Sequence, residues 1–312
     1  MGKLSVVIPA YNEEQMIAQA VEGISAPLRE AGIGFELIFV NDGSRDRTWR
    51  LIEDAAGENA QVRGVSFSRN FGKESAIFAG LAEATGDCVA VIDCDLQHPP
   101  EKLVEMYRKW EEGYEVIEGV KLSRGRESAV HGFGARMFYK IISRAARVDM
   151  TNASDFKLLD RKAVEALLQM PEKNTFFRAL SSWVGFKTCQ VEYEVRERTA
   201  GATHWSRRAL MRYAISNITS FTALPMQVVT GLGVLTFLIG IAASVEALVT
   251  WIKGVAVEGF TTVIILLCFS ASIIMLSLGV IGYYIARIYE EIKGRPRYII
   301  SERAGLGNSG KT

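Results

Sequence analysis

Three short β-branched runs in this 312-residue chain each open into a loop that carries carboxylates. Leu4 to Ile8 is followed by Pro9-Ala10-Tyr11-Asn12-Glu13-Glu14, Glu36 to Val40 by Asn41-Asp42-Gly43-Ser44, and Val89 to Ile92 by Asp93-Cys94-Asp95-Leu96-Gln97-His98-Pro99-Pro100-Glu101. Two aspartates one residue apart, on a turn leaving a buried strand, are poor packing residues, because each would lose hydration without gaining a partner. They can converge instead on a hard cation through oxygen ligands, with the Gln97 carbonyl as a further donor. Mg²⁺ or Mn²⁺ held by Asp93, Asp95 and Gln97 would neutralise a diphosphate and stabilise it as a leaving group. Tyr11 could stack on a base and Asp42 could accept from its ring NH, although either residue alone is also ordinary turn chemistry.

These loops need a scaffold, and the chain supplies its rhythm. Residues 1 to about 125 repeat a β-branched run, a loop rich in Asp, Asn or Gly, and an amphipathic stretch, which is the punctuation of βαβ units. Strands are predicted at Leu4 to Ile8, Glu36 to Val40, Val62 to Ser66, Val89 to Ile92 and Val116 to Val120, with helices beginning near Glu14, Arg47, Glu74 and Pro100. The fold class is α/β with a mostly parallel sheet, and in such sheets ligands bind where the strands end.

The strings VIPAYNEE (Val7 to Glu14), VNDGSRDRT (Val40 to Thr48), FSRNFGKESA (Phe67 to Ala76) and DCDLQHPPE (Asp93 to Glu101) together resemble family 2 glycosyltransferases of the GT-A fold. Among these they look most like the polyprenyl-phosphate group, which includes dolichol-phosphate mannose synthase and bacterial undecaprenyl-phosphate glucosyltransferases. The resemblance implies a Rossmann-like GT-A domain followed by a two-helix transmembrane hairpin. It implies that Pro9, Tyr11, Glu13 and Asp42 contact the nucleotide, that Asp93, Asp95 and Gln97 bind the metal, and that Lys73 lies near the donor. It also implies a one-step inverting transfer of a hexose from a nucleotide sugar, UDP-glucose-like or GDP-mannose, to a polyprenyl phosphate. Ser154-Asp155-Phe156-Lys157-Leu158-Leu159-Asp160-Arg161 resembles the segment that sets an aspartate at the reacting centre, so Asp155 joins Asp95 as a catalytic candidate. The usual label for Asp155 is general base. A phosphate monoester has a second pKa of about 6 and arrives largely ionised near neutral pH, which leaves positioning of the acceptor or metal as the other role.

Two anions must be brought together, and Lys121, Arg124, Arg126, Arg136 and Arg198 are the available cations. Guanidinium suits phosphate because it binds two oxygens at once. Arg124, Arg126 and Arg136 are assigned to the acceptor phosphate, and Lys121, Arg198 and His204 to the nucleotide sugar. Arg196 to Trp205 resembles the family's Arg-x-x-Gly-x-Ser-Lys loop, with Thr203 and His204 in place of Ser and Lys, and Lys121 stands where many relatives carry Arg.

Charge thins abruptly after Arg212: Val228 to Val245 and Phe260 to Ala286 contain no charged residue, and each run is long enough to span a hydrocarbon layer of about 30 Å. Arg207, Arg208 and Arg212 precede the first run and Arg287, Lys293, Arg295 and Arg297 follow the second, which places both termini on the cytoplasmic side of the inner (plasma) membrane. The predicted organisation is a catalytic domain at 1–205, an amphipathic juxtamembrane helix at 206–224, two transmembrane helices at 225–290 and a cytosolic tail at 291–312 with a flexible end. A hairpin with few internal contacts in lipid favours a homo-oligomer.

Other functions are disfavoured by the same residues. The 36 basic and 35 acidic side chains nearly cancel, which gives no basis for a nucleic-acid partner. Four scattered cysteines form neither a zinc pattern nor a disulfide framework. Gly305 to Thr312 spells a Walker A loop, but that loop works only between a strand and a helix. A processive polysaccharide synthase would need a Gln-x-x-Arg-Trp motif and more spans. A non-catalytic membrane scaffold would have no use for Asp93, Asp95 and Asp155 together.

Overall fold

The structure is a computed structural model and describes residues 2–122, 154–170, 172, 176–194, 224–254 and 259–305. Arg124, Arg126, Arg136, Arg198, His204 and nearly all of the predicted juxtamembrane helix lie outside the described residues. The chain divides into two units, 1–214 with 296–312, and 215–295.

The first unit is built on β1 (Leu4–Ala10), α1 (Ile17–Glu30), β2 (Phe35–Asn41), α2 (Thr48–Glu58), β3 (Val62–Phe67), α3 (Lys73–Glu83), β4 (Cys88–Val91), α4 (Lys102–Glu111) and β5 (Val116–Lys121). It continues with β6 (Lys157–Asp160), α5 (Arg161–Leu168), α6 (Phe177–Trp183) and β7 (Thr188–Tyr193), and closes with β8 (Ile300–Ala304). The strands form one sheet in the order β7-β5-β6-β4-β1-β2-β3-β8. Pairs β1–β2, β1–β4, β2–β3 and β5–β7 are parallel, whereas β6 runs antiparallel to both β4 and β5, and β8 antiparallel to β3.

β1 and β2 are buried along nearly their whole length, as strands covered on both faces must be. Leu4, Val6, Ile8, Leu37 and Phe39 face a core completed by Ile17, Ala20, Ile24 and Leu28 of α1, Ile52 of α2 and Leu103, Met106 and Tyr107 of α4. α3 packs on β1 and β2. It comes so close that a Cβ on Gly80 would lie 2.1 Å from Val7 Cγ1.

The five strands predicted between residues 4 and 120 are all present; β6, β7 and β8 are additional to them. β6 has only four residues. In β7 only Val191 and Tyr193 are buried, and β8 is the polar edge sequence Ile-Ser-Glu-Arg-Ala, the composition that protects sheet edges. Within the predicted tail at 291–312, residues 300–304 pair with β3 as a strand that sequence reasoning does not place. α1 begins at Ile17 instead of near Glu14, because Glu14 N–H donates to Asp46 Oδ2 (3.2 Å) and Met16 N–H to Glu13 O (2.9 Å) in a turn before the helix.

The second unit is α7 (Leu224–Ile252) packed on α8 (Phe260–Ile292). Met226–Thr250 and Phe269–Ile292 are long and apolar enough to cross a membrane, and none of their apolar windows is buried, unlike the core helix of a soluble domain. Phe237, Leu267 and Met275 are among the side chains left exposed.

Away from the carboxylate-bearing loops, Glu36 of β2 is a buried carboxylate saturated with donors. Ser5 Oγ (2.6 Å), Thr85 N (2.8 Å), Thr85 Oγ1 (2.8 Å), Lys3 Nζ (2.9 Å) and Arg63 Nη1 (3.1 Å) all donate to it. Burial alone would raise its pKa, but these donors overturn that and lower it to about 2. A depressed carboxylate pKa stabilises the fold above the unfolded value near 4.5, and that stability is lost as pH falls through the folded value. Glu36→Gln is expected to destabilise the catalytic unit by about 2–3 kcal/mol at pH 7. The gap in denaturant midpoint between wild type and variant should shrink steadily from pH 4.5 towards pH 2, and a pH-independent gap would contradict this account.

Candidate functional site

The loops after β1, β2 and β4 converge with the start of α3 and the segment that enters β6. Ser44 Oγ accepts from Asn12 N–H (2.9 Å), Asn12 Oδ1 accepts from Arg45 N–H (2.9 Å), and Thr48 Oγ1 accepts from Glu13 N–H (2.8 Å). The loops carrying Tyr11, Glu13 and Asp42 are thus locked together, with Asn12 at φ 55°, a conformation asparagine tolerates better than most residues. Pro9, half-buried, is the last residue but one of β1, Tyr11 is 44% exposed and Glu13 is half-buried. Asp42 is buried, and its carboxylate receives Phe71 N–H (2.6 Å) and Gly72 N–H (2.9 Å). Asp42 therefore shapes the loop that leads into α3. Burial outweighs those hydrogen bonds and raises its pKa. Gly43, at φ 65°, admits no side chain there, since a Cβ would lie 2.3 Å from the Arg69 carbonyl carbon.

That loop delivers Lys73, the first residue of α3, to the middle of the site. Lys73 Nζ lies 2.6 Å from Asp93 Oδ1 and 2.8 Å from Asp155 Oδ2. A single ammonium therefore joins the end of β4 to the segment that enters β6. Arg178 of α6 grips the same Asp155 from the other side, with Nε 2.6 Å from Oδ1 and Nη2 2.9 Å from Oδ2. Burial opposes the charge on both Lys73 and Asp155, but the Asp93 and Asp155 carboxylates raise the Lys73 pKa, and Lys73 with Arg178 holds Asp155 well below the usual carboxylate range. Glu74 accepts from Phe177 N–H (2.8 Å). Its burial and the nearby Asp155 charge push its pKa up to about 7.

The Asp93 turn is strained and anchored. Leu96 sits at φ 54°, a costly backbone conformation for a bulky residue, and Gln97 N–H donates to Asp95 Oδ1 (3.1 Å). His98, next in the chain, is buried, stacks on Phe156 (5.1 Å between ring centroids) and meets the edge of Tyr193 (5.3 Å). Burial lowers its pKa and keeps the ring neutral, with Nδ1 4.0 Å from Asp93 Oδ2. The Cys94 thiol is pushed far up by burial and is inert packing.

Among the described residues no group of three or more His, Cys, Asp or Glu side chains is arranged to hold a metal ion. A Mg²⁺-type ion does not require one, since it binds through one or two carboxylates and completes its shell with phosphate and water. The hard oxygens of Asp93 and Asp95 at the end of β4 fit that role, and an all-protein cage does not.

Of the residues picked from sequence, Asp93, Lys73 and Asp155 are joined directly, and Asp42 is joined through the loop it shapes. Lys121 stands at the exposed end of β5, where its charge helps to lower the pKa of the His98 ring. Arg178, Glu74 and His98 are not among the residues that sequence reasoning picks. Glu74 directly follows Lys73 and His98 directly follows Gln97, so their position was a signal. Phe176-Phe177-Arg178 carries no such mark, because its role depends on β6 and α6 folding beside α3.

The Lys73 bridge makes a direct claim about cations. A divalent ion reaching Asp93 must compete with an ammonium already 2.6 Å away. Lys73→Met is therefore expected to tighten Mn²⁺ binding without nucleotide by about tenfold, the effect of removing one close like charge screened by solvent. Isothermal titration of the full chain in detergent measures this, and unchanged or weaker binding would contradict it.

The sequence profile described as Glycosyl transferase family 2 matches residues 5–168. The chain is 41% identical over 306 residues to an uncharacterised glycosyltransferase of Synechocystis sp., covering 97% of this chain and 96% of that one. It is 37% identical to the prophage bactoprenol glucosyl transferase homolog of Escherichia coli, covering 96% and 98% of the two chains. It is 35% identical to the SfII prophage-derived bactoprenol glucosyl transferase of Shigella flexneri, again over 96% and 98%. Among solved structures it is similar to glucosyl-3-phosphoglycerate synthase of Mycobacterium tuberculosis, with a TM-score of 0.49 and 24% identity over 70% of this chain and 78% of that one.

Proposed function

The chain belongs to glycosyl transferase family 2 and is a glycosyltransferase, and we propose that it transfers a hexose from a nucleotide sugar to a polyprenyl phosphate at a membrane surface. The observation that carries the chemistry is the Lys73 ammonium shared by Asp93 and Asp155. It supports a reading in which a donor diphosphate lies beside Asp93 and an acceptor phosphate beside Asp155, with a cation between them. The acceptor class is supported by relatives named bactoprenol glucosyl transferases that align over almost the whole chain, and by two helices long and apolar enough to sit in a bilayer. The same names favour a glucose donor, with UDP-glucose the first to test and GDP-mannose the second.

In this reading Pro9, Tyr11, Glu13 and Asp42 frame the nucleotide, and Asp93, Asp95 and Gln97 would hold Mg²⁺ or Mn²⁺. The metal supplies charge neutralisation on the leaving diphosphate. An acceptor phosphate oxygen attacks the anomeric carbon while the bond from that carbon to the diphosphate breaks, and the configuration inverts. Lys73 and Arg178 offset the repulsion between the two anions. Arg124, Arg126 and Arg136 are proposed to bind the acceptor phosphate, and Lys121, Arg198 and His204 the donor. The catalytic unit and both termini are proposed to be cytoplasmic, with 206–224 lying along the inner membrane surface.

Asp155 is an orienting group in this mechanism. Both of its oxygens already receive cations, and a carboxylate held so far below its ordinary pKa is a weak base. The acceptor, with a second pKa of about 6, is already largely the dianion at neutral pH.

Full-length protein in detergent, given radiolabelled UDP-glucose or GDP-mannose, undecaprenyl phosphate and Mn²⁺ or Mg²⁺, is expected to move label into the lipid phase. Asp93→Asn and Asp95→Asn are each expected to lower that rate about 10²–10³-fold, as loss of a charge-stabilising group does. Absence of metal-dependent transfer from any common donor would overturn the proposal, and growth of a sugar chain would support the polysaccharide synthase reading. Asp155→Asn should lose about 100-fold yet keep the wild-type acid limb near pH 6, because that limb belongs to the acceptor phosphate. Disappearance of the limb in the variant would restore Asp155 as the titrating base.

A further inference from the structure

The chain that follows α8 returns to the sheet and touches the catalytic machinery at a point that sequence does not mark. Arg297, five residues beyond Ile292, donates from Nη2 to Met170 O (2.6 Å) and to Glu172 O. Its guanidinium lies over the Phe78 ring of α3, 4.6 Å from the centroid. Its own carbonyl lies 3.5 Å from Ser75 Oγ, also on α3. Met170 and Glu172 belong to the connection between α5 and α6. Arg297 thus ties the segment that leads into α6 to the helix that begins with Lys73.

Those two elements supply the two cations on Asp155: α3 gives Lys73 and α6 gives Arg178. α6 is also held by Glu74, which receives Phe177 N–H (2.8 Å). Lys157 further donates to Arg178 O (3.3 Å) and to Ser182 Oγ (3.0 Å). From outside 1–194, Arg297 reaches the connection before α6. Its neighbours on the returning chain serve another purpose: Tyr298 stacks on Phe67 (5.0 Å), Trp49 Nε1 donates to Glu302 Oε2 (3.0 Å), and Arg303 pairs with Glu83 (3.1 Å). They fasten β8 to the sheet edge at a distance from Asp155 in the contact network.

We propose that Arg297 is a positioning residue that fixes the approach of α6, and through Arg178 sets the geometry of the Asp155 cation pair. A guanidinium suits this task because it is planar, can donate to two carbonyls from its edge and can lay its face on an aromatic ring at the same time. Lysine has the charge without the plane. The role of the cation pair in transfer rests on the proposed function, whereas the mechanical link from Arg297 to α6 does not.

The experiment pairs amide hydrogen exchange with a double-mutant cycle on the full chain in detergent. In Arg297→Ala, exchange across 176–183 is expected to rise about tenfold, while 300–304 and 62–67 keep their protection. Transfer is expected to fall about tenfold with the donor KM unchanged, the scale on which small misplacements act. Arg297→Lys should fall between wild type and Ala in both readouts, and it decides the matter if Arg297→Ala does not fold. Glu302→Ala, which loosens β8 without touching the α5–α6 connection, should leave 176–183 unchanged. In the cycle, Arg297→Ala added to Arg178→Ala should cost little more than Arg178→Ala alone. Unchanged exchange in 176–183, equal effects from Glu302→Ala, or fully additive losses would each overturn the proposal. If the wild type shows no transfer, the exchange result alone still decides the link to α6, and only the function reading fails.

Discussion

The site turns on one ammonium. Lys73 Nζ sits within 3 Å of carboxylates from two separate strand ends, 2.6 Å from Asp93 and 2.8 Å from Asp155. Without a cation between them those carboxylates would repel. The ammonium offsets that repulsion and lets the two share one cleft. The demand propagates outward. Lys73 must be the first residue of α3, the preceding loop must turn sharply at Gly72 (φ 97°), and Asp42 must hold that loop by its Phe71 and Gly72 amides. A residue assigned from sequence to the nucleotide base thereby acquires a structural duty that comes before any ligand.

The opposite wall is held by a buried charge pair. Lys157 is fully buried and lies 2.6 Å from Glu118, which also receives Ser182 Oγ at 2.6 Å. Burial lowers the Lys157 pKa despite that partner, so the pair is a weak source of stability in itself. Removing one member of such a pair typically costs about 3–5 kcal/mol, because the other charge is left stranded. Its contribution is geometric: it joins β5, β6 and α6, and so fixes where Arg178 can stand. His98 does the same for the Asp93 turn by stacking on Phe156, the residue after Asp155. The two halves of the site are therefore linked by rings as well as by charges.

Much of this was legible before any coordinates. The β1, β2 and β4 loops announced themselves because their carboxylates followed β-branched runs, and parallel strands buried on both faces have few other sequences open to them. What escaped were elements whose identity depends on a partner distant in sequence. β8 reads as a polar tail until β3 is placed beside it, and the exposed alternation of β7 shows only two inward residues. Arg178 looked like any arginine, since nothing within ten residues of it explains why a guanidinium should be there; its partner Asp155 is 23 residues away. Lys73 was found through resemblance, but its bridging role was not, because that role is a distance between two loops and not a property of either string.

The arrangement also separates two tasks that a single label, catalytic aspartate, would merge. Around the shared ammonium, the carboxylates of Asp93 and Asp155 are matched by Lys73 and Arg178, and Asp95 on the same turn as Asp93 adds a further negative charge. In the proposed function the arginines assigned to the acceptor phosphate, and a divalent ion arriving with the donor, would supply the positive charge that two phosphate-bearing substrates need. In that reading Asp93 and Asp95 would receive the ion, since hard oxygens on one turn suit a small divalent cation and a lysine can exchange one carboxylate contact for another. Asp155 is not so placed: Arg178 occupies it from two nitrogens, and Lys73 completes its shell. In the proposed function Asp93 would thus give up its Lys73 contact when a donor enters, whereas Asp155 would keep both of its cations. The proposed acceptor, already anionic, would need cations aimed at it more than a base, and an Asp155 held by both Lys73 and Arg178 would be a means of aiming them.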